Sequence, residues 1–409
     1  MARVSSTTAD PAAEAAALLR RVGFATLSLI VPTAALVTRR GLVVLIPIGV
    51  FLIAIAAAID GAQRPVGRTA REIAASPAGI AAALALAWCV LSLLWTPFPT
   101  QASERLLNIG ATLAMALVGY LALPDRMRSA NLYLIPVGIG IAALVGCLVA
   151  LFGAPGSRRV EVVAQNLDRG LTVLALLVWP GVAWLRSRGR HFEALAVGAL
   201  VGLATVLGPQ ANPPIAFAIG AVAFVLTVFA GRLGVIVTAW FSAGLLALAP
   251  LIPFVLRPIA GLVLPERHPF LGALRIWRAV IVGEPERLIT GHGFETALRG
   301  RLEGLLPANA PSTILFELWY ELGVVGALAA AAALLAAILA CGRNSPSVVP
   351  GMIAAFATAY AFACLGIGTA QMWWFTALAL VVLVFVSIER GQFRTTRPKA
   401  RLLRAANDR

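Results

Sequence analysis

Long uninterrupted runs of apolar residues, separated by short joints that carry arginine, dominate this sequence. Of its 409 residues, 60% are hydrophobic and only 12% are charged, and the mean hydropathy is +0.89. Soluble domains carry about 25% charged residues, so this chain has too few of them to build a water-facing surface. Repeated apolar runs of this kind are typical of helices that cross a bilayer. The sequence therefore predicts an all-α, polytopic integral membrane protein.

Twelve of the apolar runs are predicted to span the membrane, since a span needs about 20 residues. They begin near Val22, Gly41, Pro77, Leu107, Leu132, Leu171, Ala194, Ile215, Gly234, Thr313, Pro350 and Met372. The chain then divides into a tail (1–21), nine spans (22–256), a long loop (257–312), three spans (313–388) and a basic tail (389–409). The first tail mixes acidic and basic residues, which is not the pattern of a cleavable signal peptide. The basic tail is predicted to contact anionic membrane lipid.

Basic residues are distributed unevenly between alternate joints. With the amino terminus inside, the inside segments hold 20 of the 33 lysines and arginines, the short outer loops hold six and the long loop holds seven. The positive-inside rule then predicts that both termini are cytoplasmic and that the long loop is outside. The formal net charge of +15 does not indicate a nucleic-acid partner, because no aromatic stacking platform is interleaved with the scattered arginines. The four cysteines lie inside apolar runs without Cys-x-x-Cys spacing, so neither a disulfide framework nor a zinc site is predicted.

The long loop contains one segment with helical periodicity, FLGALRIWRAVIVG. Its apolar residues recur at spacings of three and four, which predicts an amphipathic helix, and they are Leu271, Leu274, Trp277, Val280 and Ile281. Arg275 and Arg278 lie one turn apart on this helix. Loops of about 55 residues are usually functional or disordered. An interfacial helix whose arginines meet lipid headgroups is the simpler alternative to a substrate site.

Two groups of ionisable residues follow this helix. His292 lies between Gly291 and Gly293, which predicts an imidazole on a turn that can meet a substrate, or simply an exposed histidine. Glu317 and Glu321 are four residues apart at the start of the tenth span, so both project from one face. Buried carboxylates need arginine partners or a wet cavity, and the simpler interpretation is a salt bridge that ties the loop to the helix. No third ligand is suitably spaced, so no metal site is predicted.

Several of these segments occur in an order that resembles the O-antigen ligase and O-antigen polymerase superfamily. The matching segments are LSLLWTPFP with SERLLNIGATL, then QNLDRGLTVLALLVWP, RIWR, GHGF and ELWYELGVVG, and they cover roughly Leu91 to Ala330. In QNLDRGLTVLALLVWP, Arg169 precedes Val173 by four residues, as in the family's outer-loop arginine motif. Each motif is degenerate, but their order and spacing agree together.

The resemblance implies a fold like that of GT-C glycosyltransferases in a bacterial inner membrane, with the loop in the periplasm. It implies transfer of a glycan from a polyprenyl-pyrophosphate carrier to an acceptor hydroxyl, without a metal or a nucleotide cofactor, on a lipid A-core sugar or on another lipid-linked glycan. Arg169, Arg275 and Arg278 are then expected to neutralise the pyrophosphate, because guanidinium groups bind phosphate bidentately. The turn Gly291–Gly293 is expected to bind substrate. His292 or Glu317 is expected to accept the proton, and Glu321 to hold Glu317 or an arginine in place.

The sequence departs from the family at one position. Family members usually place a histidine ten to twelve residues before the glycine that corresponds to Gly323, where this chain has Pro311, Ser312 and Thr313. Three readings follow: His292 replaces that base, Glu317 replaces it, or the chain keeps the scaffold without the chemistry. A secondary transporter is the alternative from another class, although no internal repeat is visible and ionisable residues are nearly absent from the middle of the spans.

Overall fold

The computed structural model describes residues 11–38, 40–61, 66–153, 160–265, 268–367 and 371–392. Within those ranges the chain is all-helical, without strands. The helices are α1 (Pro11–Val37), α2 (Gly41–Ile59), α3 (Val66–Ala74), α4 (Pro77–Leu94), α5 (Pro99–Ala122), α6 (Ser129–Phe152), α7 (Val160–Ser187), α8 (His191–Leu207), α9 (Asn212–Ala230), α10 (Arg232–Ala247), α11 (Ala249–Val263), α12 (Pro269–Gly283), α13 (Arg287–Thr290), α14 (Thr296–Glu303), α15 (Ile314–Cys341), α16 (Val349–Leu365) and α17 (Met372–Glu389).

Nine helices of the described residues are long and apolar enough to cross a membrane: α1, α2, α4, α5, α6, α7, α9, α15 and α17. The prediction of a polytopic helical membrane protein is therefore confirmed. The other three predicted spans coincide with α8 and α16, which are shorter apolar helices, and with α10 and α11, which form one pair bent by 64°. Pro250 and Pro253 lie at that bend, where each removes a backbone hydrogen-bond donor. The count of twelve spans stays a prediction.

Two helices, α1 and α7, begin eleven residues before the apolar runs that predicted them. The first starts at Pro11 rather than Val22, because a run of alanines favours helix and Arg20 forms an ion pair with Asp60. The sixth predicted span, expected from Leu171, belongs to α7, whose polar first turns include Asn166; its side-chain amide donates to the carbonyl of Val37 at 3.1 Å. Polar residues thus extend both helices because they find partners in the protein.

The largest core surrounds α7, which packs against α1, α6, α8, α9, α16 and α17. A second core joins α15 to the long loop: Trp277 of α12 and Leu306 pack with Phe316 and Trp319. Between the two cores lies α16, which contacts α7, α9, α10 and α15. The loop is therefore packed on the helices rather than suspended from them.

The predicted loop is mostly helical in the described residues. Arg257 lies within α11, which continues to Val263, so the chain leaves the bent pair later than expected. The predicted amphipathic helix is confirmed as α12, with Leu271, Leu274 and Trp277 buried. Two short helices, α13 and α14, complete the loop before α15 begins.

Joints that were predicted to share one side of the membrane meet at one end of the bundle. The amide of Met127 donates to the carbonyl of Arg390 at 3.2 Å, and Arg188 donates to the carbonyl of Gly391 at 2.9 Å. At the other end, Thr96 donates to the carbonyl of Phe294 at 2.8 Å. We call this second end the loop end, because the long loop packs there.

Candidate functional site

A break in α15 organises the loop end. Gly323 has φ 61° and ψ −161°, so the helix that begins after Thr313 is interrupted within its third turn. An interruption leaves the preceding carbonyls without helical partners. In this structure they accept hydrogen bonds from outside the helix: Tyr320 from the amide of His292 at 2.8 Å, Glu321 from the amide of Gly293 at 2.9 Å. The carbonyl of Leu322 accepts from the Trp88 indole at 2.8 Å.

The glycines of the predicted substrate turn are buried against protein backbone. Gly291 has φ 73° and Gly293 has φ 99°, conformations that favour glycine. A Cβ at Gly291 would collide with the carbonyl of Glu321, and one at Gly293 would come within 2.6 Å of the Thr96 backbone. Both glycines therefore permit close approach to the broken helix and to the α4–α5 joint. Their predicted contact with substrate stays a prediction.

The imidazole of His292 is held on three sides. Its ring stacks on Tyr320 with centroids 4.0 Å apart, Nδ1 lies 3.0 Å from the Tyr320 carbonyl oxygen, and Nε2 lies 3.1 Å from a carboxylate oxygen of Glu284. A carbonyl oxygen only accepts, so Nδ1 must carry a proton. With Nδ1 protonated, the contact of Nε2 with the Glu284 carboxylate is a hydrogen bond only when Nε2 is protonated as well. Nε2 of the neutral ring is therefore available to accept a proton only when the Glu284 side chain turns away from it. Sequence reasoning expected little cover for this ring; its side chain is only 20% exposed.

A small cleft opens beside this imidazole. Its walls combine the charged side chains of Glu284 and Arg287 with the rings of Trp277, Phe316 and Tyr320. Phe316 and Tyr320 stack with centroids 5.4 Å apart, and Trp277 meets Phe316 edge to face at 5.7 Å. The cleft is therefore lined by both apolar and charged side chains at the junction of the loop with α15.

The two glutamates of α15 have different partners. Glu317 is 2% exposed and pairs with Arg301 of α14 at 2.7 Å, and Arg301 also donates to the carbonyl of Pro311 at 2.7 Å. The predicted tie between the loop and the helix is thus present. Glu321 was expected to hold Glu317 or an arginine, but its carboxylate accepts from the amide of Ala297 at 3.0 Å. It therefore holds the first turn of α14, where the unpaired amides of a helix favour an anion.

Sequence reasoning missed a second buried ion pair. Arg105 of α5 pairs with Glu295, and the two side chains are 7% and 5% exposed. Glu295 is the only residue other than glycine with positive φ among the described residues, at 72°. Arg105 lies within the SERLLNIG segment and Glu295 directly follows GHGF. Their place in or beside these two segments is the sequence feature that could have drawn attention to them. No spacing rule links positions 190 residues apart.

The three arginines predicted to bind pyrophosphate lie apart from the cleft lining. Arg169 lies over the ring of Trp373 at 5.8 Å, on α7, which packs in the other core. Arg278 lies over Phe254 at 5.4 Å, and both Arg278 and Arg275 are exposed on the outer face of α12. The arginine that does line the cleft is Arg287. A role for the other three in phosphate binding stays a prediction.

Comparison of the sequence with models of known protein families found no matching family, and comparison with curated proteins found no matching relative. Among the described residues, no group of three or more histidine, cysteine, aspartate or glutamate side chains could hold a metal ion. The site is therefore characterised by its geometry: a half-buried histidine beside a carboxylate and an arginine, in a cleft between a packed loop and a broken helix.

Proposed function

We propose that this membrane protein transfers a glycan from a polyprenyl-pyrophosphate carrier to an acceptor hydroxyl at the loop end, as a ligase or polymerase of the O-antigen type. The observation that carries the proposal is the cleft in which Nε2 of His292 lies 3.1 Å from Glu284, beside Arg287. Such a transfer needs a proton acceptor, a cationic group near the leaving phosphate and a site at the membrane boundary. A histidine and an arginine, which can supply the first two, occur together in this cleft.

The proposed step is a substitution at the anomeric carbon. The acceptor oxygen forms a bond to that carbon while the bond from the carbon to the pyrophosphate oxygen breaks. The hydroxyl proton passes to Nε2 of His292, and the bonding electrons leave with the pyrophosphate. The Glu284 carboxylate then accepts a hydrogen bond from the protonated Nε2. Arg287 offsets the negative charge that develops on the leaving group.

His292 is a better candidate for the base than Glu317. The Glu317 carboxylate is 2% exposed and paired with Arg301, so it has a structural partner and little access to an acceptor. His292 lines the cleft, and its partner Glu284 has a side chain that is 57% exposed and can move aside. We therefore assign proton acceptance to His292 and the loop tie to Glu317.

A secondary transporter is the alternative hypothesis, and many transporters contain a broken helix such as the one at Gly323. In transporters the carbonyls of a broken helix bind the ion. Here the carbonyls of Tyr320, Glu321 and Leu322 already accept hydrogen bonds from two backbone amides and an indole. This arrangement favours a fixed scaffold for a site over an ion path through the break.

The test is deletion of the gene in the bacterium that carries it, followed by analysis of surface polysaccharide. Unattached long chains support a ligase and single repeat units support a polymerase, whereas an unchanged profile contradicts glycan transfer. Complementation with His292→Ala is expected to lower transfer by about 10² to 10⁴, the usual contribution of a well-placed general base. Glu317→Gln at matched membrane abundance separates the two candidate bases, because it is expected to keep more transfer than His292→Ala.

The predicted orientation has its own test. A cysteine in place of Arg275, which is exposed on α12, is treated with a maleimide that cannot cross membranes. Labelling in intact spheroplasts supports a periplasmic loop end. Labelling only after lysis contradicts the proposed site, because a polyprenyl-pyrophosphate donor on the periplasmic face could not reach a cleft on the cytoplasmic side.

A further inference from the structure

The segment that carries His292 is fixed at its other end by the α4–α5 hairpin. The amide of Phe294 donates to the hydroxyl of Ser92 at 3.2 Å, and the hydroxyl of Thr96 donates to the carbonyl of Phe294 at 2.8 Å. The guanidinium of Arg105 lies 5.1 Å from the centre of the Phe294 ring. The next residue, Glu295, forms the buried ion pair with Arg105. Phe294 and Glu295, the two residues that follow the turn, are therefore both held by the hairpin.

The ion pair between Arg105 and Glu295 is an unfavourable way to join the hairpin to the loop. Burying a carboxylate and a guanidinium costs more free energy than packing two apolar side chains of the same size. Among the described residues, Nε and Nη2 of Arg105 have no hydrogen-bond partner, so the pair is not fully compensated. Glu295 also holds a left-handed backbone, which is unfavourable for a residue with a Cβ. Stability alone does not explain such a combination.

Orientation does explain it. A charged pair in a dry site fixes direction as well as distance, and a left-handed residue turns the chain sharply. Glu295 is three residues from His292, and the amides of His292 and Gly293 bind the carbonyls at the Gly323 break. A shift of Glu295 would therefore move the imidazole relative to Tyr320 and Glu284.

We propose that Arg105 and Glu295 are positioning residues for His292, with the buried pair setting where Nε2 lies in the cleft. This inference rests on the proposed function for its catalytic consequence, but not for its geometry. Neither residue contacts the cleft, and both act through the turn. Misplacement of a catalytic group by about 1 Å can lower turnover by about 10²-fold.

The experiment separates position from chemistry with two readouts. In the first, His292→Cys is introduced into the full-length chain in native membranes, and its reaction with a maleimide is quantified on the peptide that contains it. Glu295→Gly keeps the left-handed backbone but removes the carboxylate, and we expect it to raise the labelling rate about tenfold through local opening. Arg105→Gln should do the same, and Arg105→Lys should restore part of the protection because it keeps the charge.

The second readout is glycan transfer by the same variants with His292 intact. Glu295→Gly and Arg105→Gln are expected to lose at least tenfold in transfer per folded molecule in the membrane, with Arg105→Lys in between. Both should also lower the temperature of thermal unfolding, because each removes one partner of a buried ion pair. The matched control is Arg299→Gln, since Arg299 lies 3.7 Å from the other oxygen of Glu295 but is 38% exposed. It should change both readouts by less than about threefold.

The outcomes are distinct. The positioning role is overturned if adding Glu295→Gly or Arg105→Gln leaves the labelling rate of His292→Cys unchanged. It is also overturned if Arg299→Gln increases that rate by the same amount. Increased labelling without any glycan transfer by the unaltered protein overturns the proposed function while it supports the positioning of residue 292. Loss of transfer with recovery in Arg105→Lys supports both.

Discussion

The two ends of the bundle use arginine in different ways. At the loop end, Arg105 and Arg301 pair with carboxylates that are at most 5% exposed. At the opposite end, Arg188 and Arg390 donate to backbone carbonyls and lie over the rings of Trp184 and Tyr120. The ion pair of Arg190 with Glu193 at that end is about half exposed.

The difference shows where the fold tolerates unfavourable burial. Exposed pairs cost little, because water solvates them. Buried pairs are unfavourable unless geometry compensates them, and here they occur at the break in α15 and at the turn that caps it. Among the described residues, the most deeply buried ion pairs therefore lie at the loop end.

Arg301→Ala should have the largest effect on stability. It removes the guanidinium that pairs with the buried Glu317 carboxylate and also the donor to the carbonyl of Pro311. The expected loss in the free energy of unfolding is about 3–5 kcal/mol. Detergent-solubilised protein, unfolded with denaturant and followed by circular dichroism, provides the measurement. A loss below about 1 kcal/mol would mean that the buried ion pair at the loop end contributes no more to stability than an exposed pair at the opposite end.

Gly323→Ala should come next. The new Cβ would meet the backbone of Ile289 and Gly291, at a φ of 61° that residues with a Cβ avoid. We expect a loss of about 2–3 kcal/mol and faster proteolysis within the loop, because the loop must move away from α15. Gly110→Ala is the matched control: it is a helical glycine with open space around it, and it should be neutral or stabilising by up to about 1 kcal/mol.

Trp88→Phe tests the cap on the broken helix. An aromatic ring is kept, although a smaller one, and the indole donor to the carbonyl of Leu322 is removed. The expected loss is about 1 kcal/mol, with local hydrogen exchange increased near Gly323. Unchanged exchange there would mean that the amides of His292 and Gly293 are a sufficient cap.

Arg190→Gln should have the smallest effect. Its guanidinium pairs with Glu193 at 3.5 Å and lies 5.0 Å from the centre of the Tyr133 ring, on an exposed surface. A change of less than about 1 kcal/mol is expected in the same unfolding assay. A loss comparable to that of Arg301→Ala would remove the contrast between the two ends.

Periodicity and charge predicted the amphipathic helix and the need of Glu317 for an arginine, because both depend on spacing within about one turn of helix. They did not predict the Gly323 break, since GVVG in an apolar run has the composition of an ordinary span. The turn at His292 was noticed because glycines flank it. Its role as a cap was not predicted, because the carbonyls that it binds are supplied by another element 28 residues away.

The sequence by itself determined that this protein is built for a membrane and contains many long apolar helices, because the hydropathy of each segment depends only on its own residues. It also determined which residues can carry charge into the loop end. Only the tertiary structure decided which arginine meets which carboxylate, placed Arg287 rather than Arg275 in the cleft, and joined Arg105 to Glu295. Those contacts link distant segments, and their geometry depends on how α4, α5 and α15 pack together.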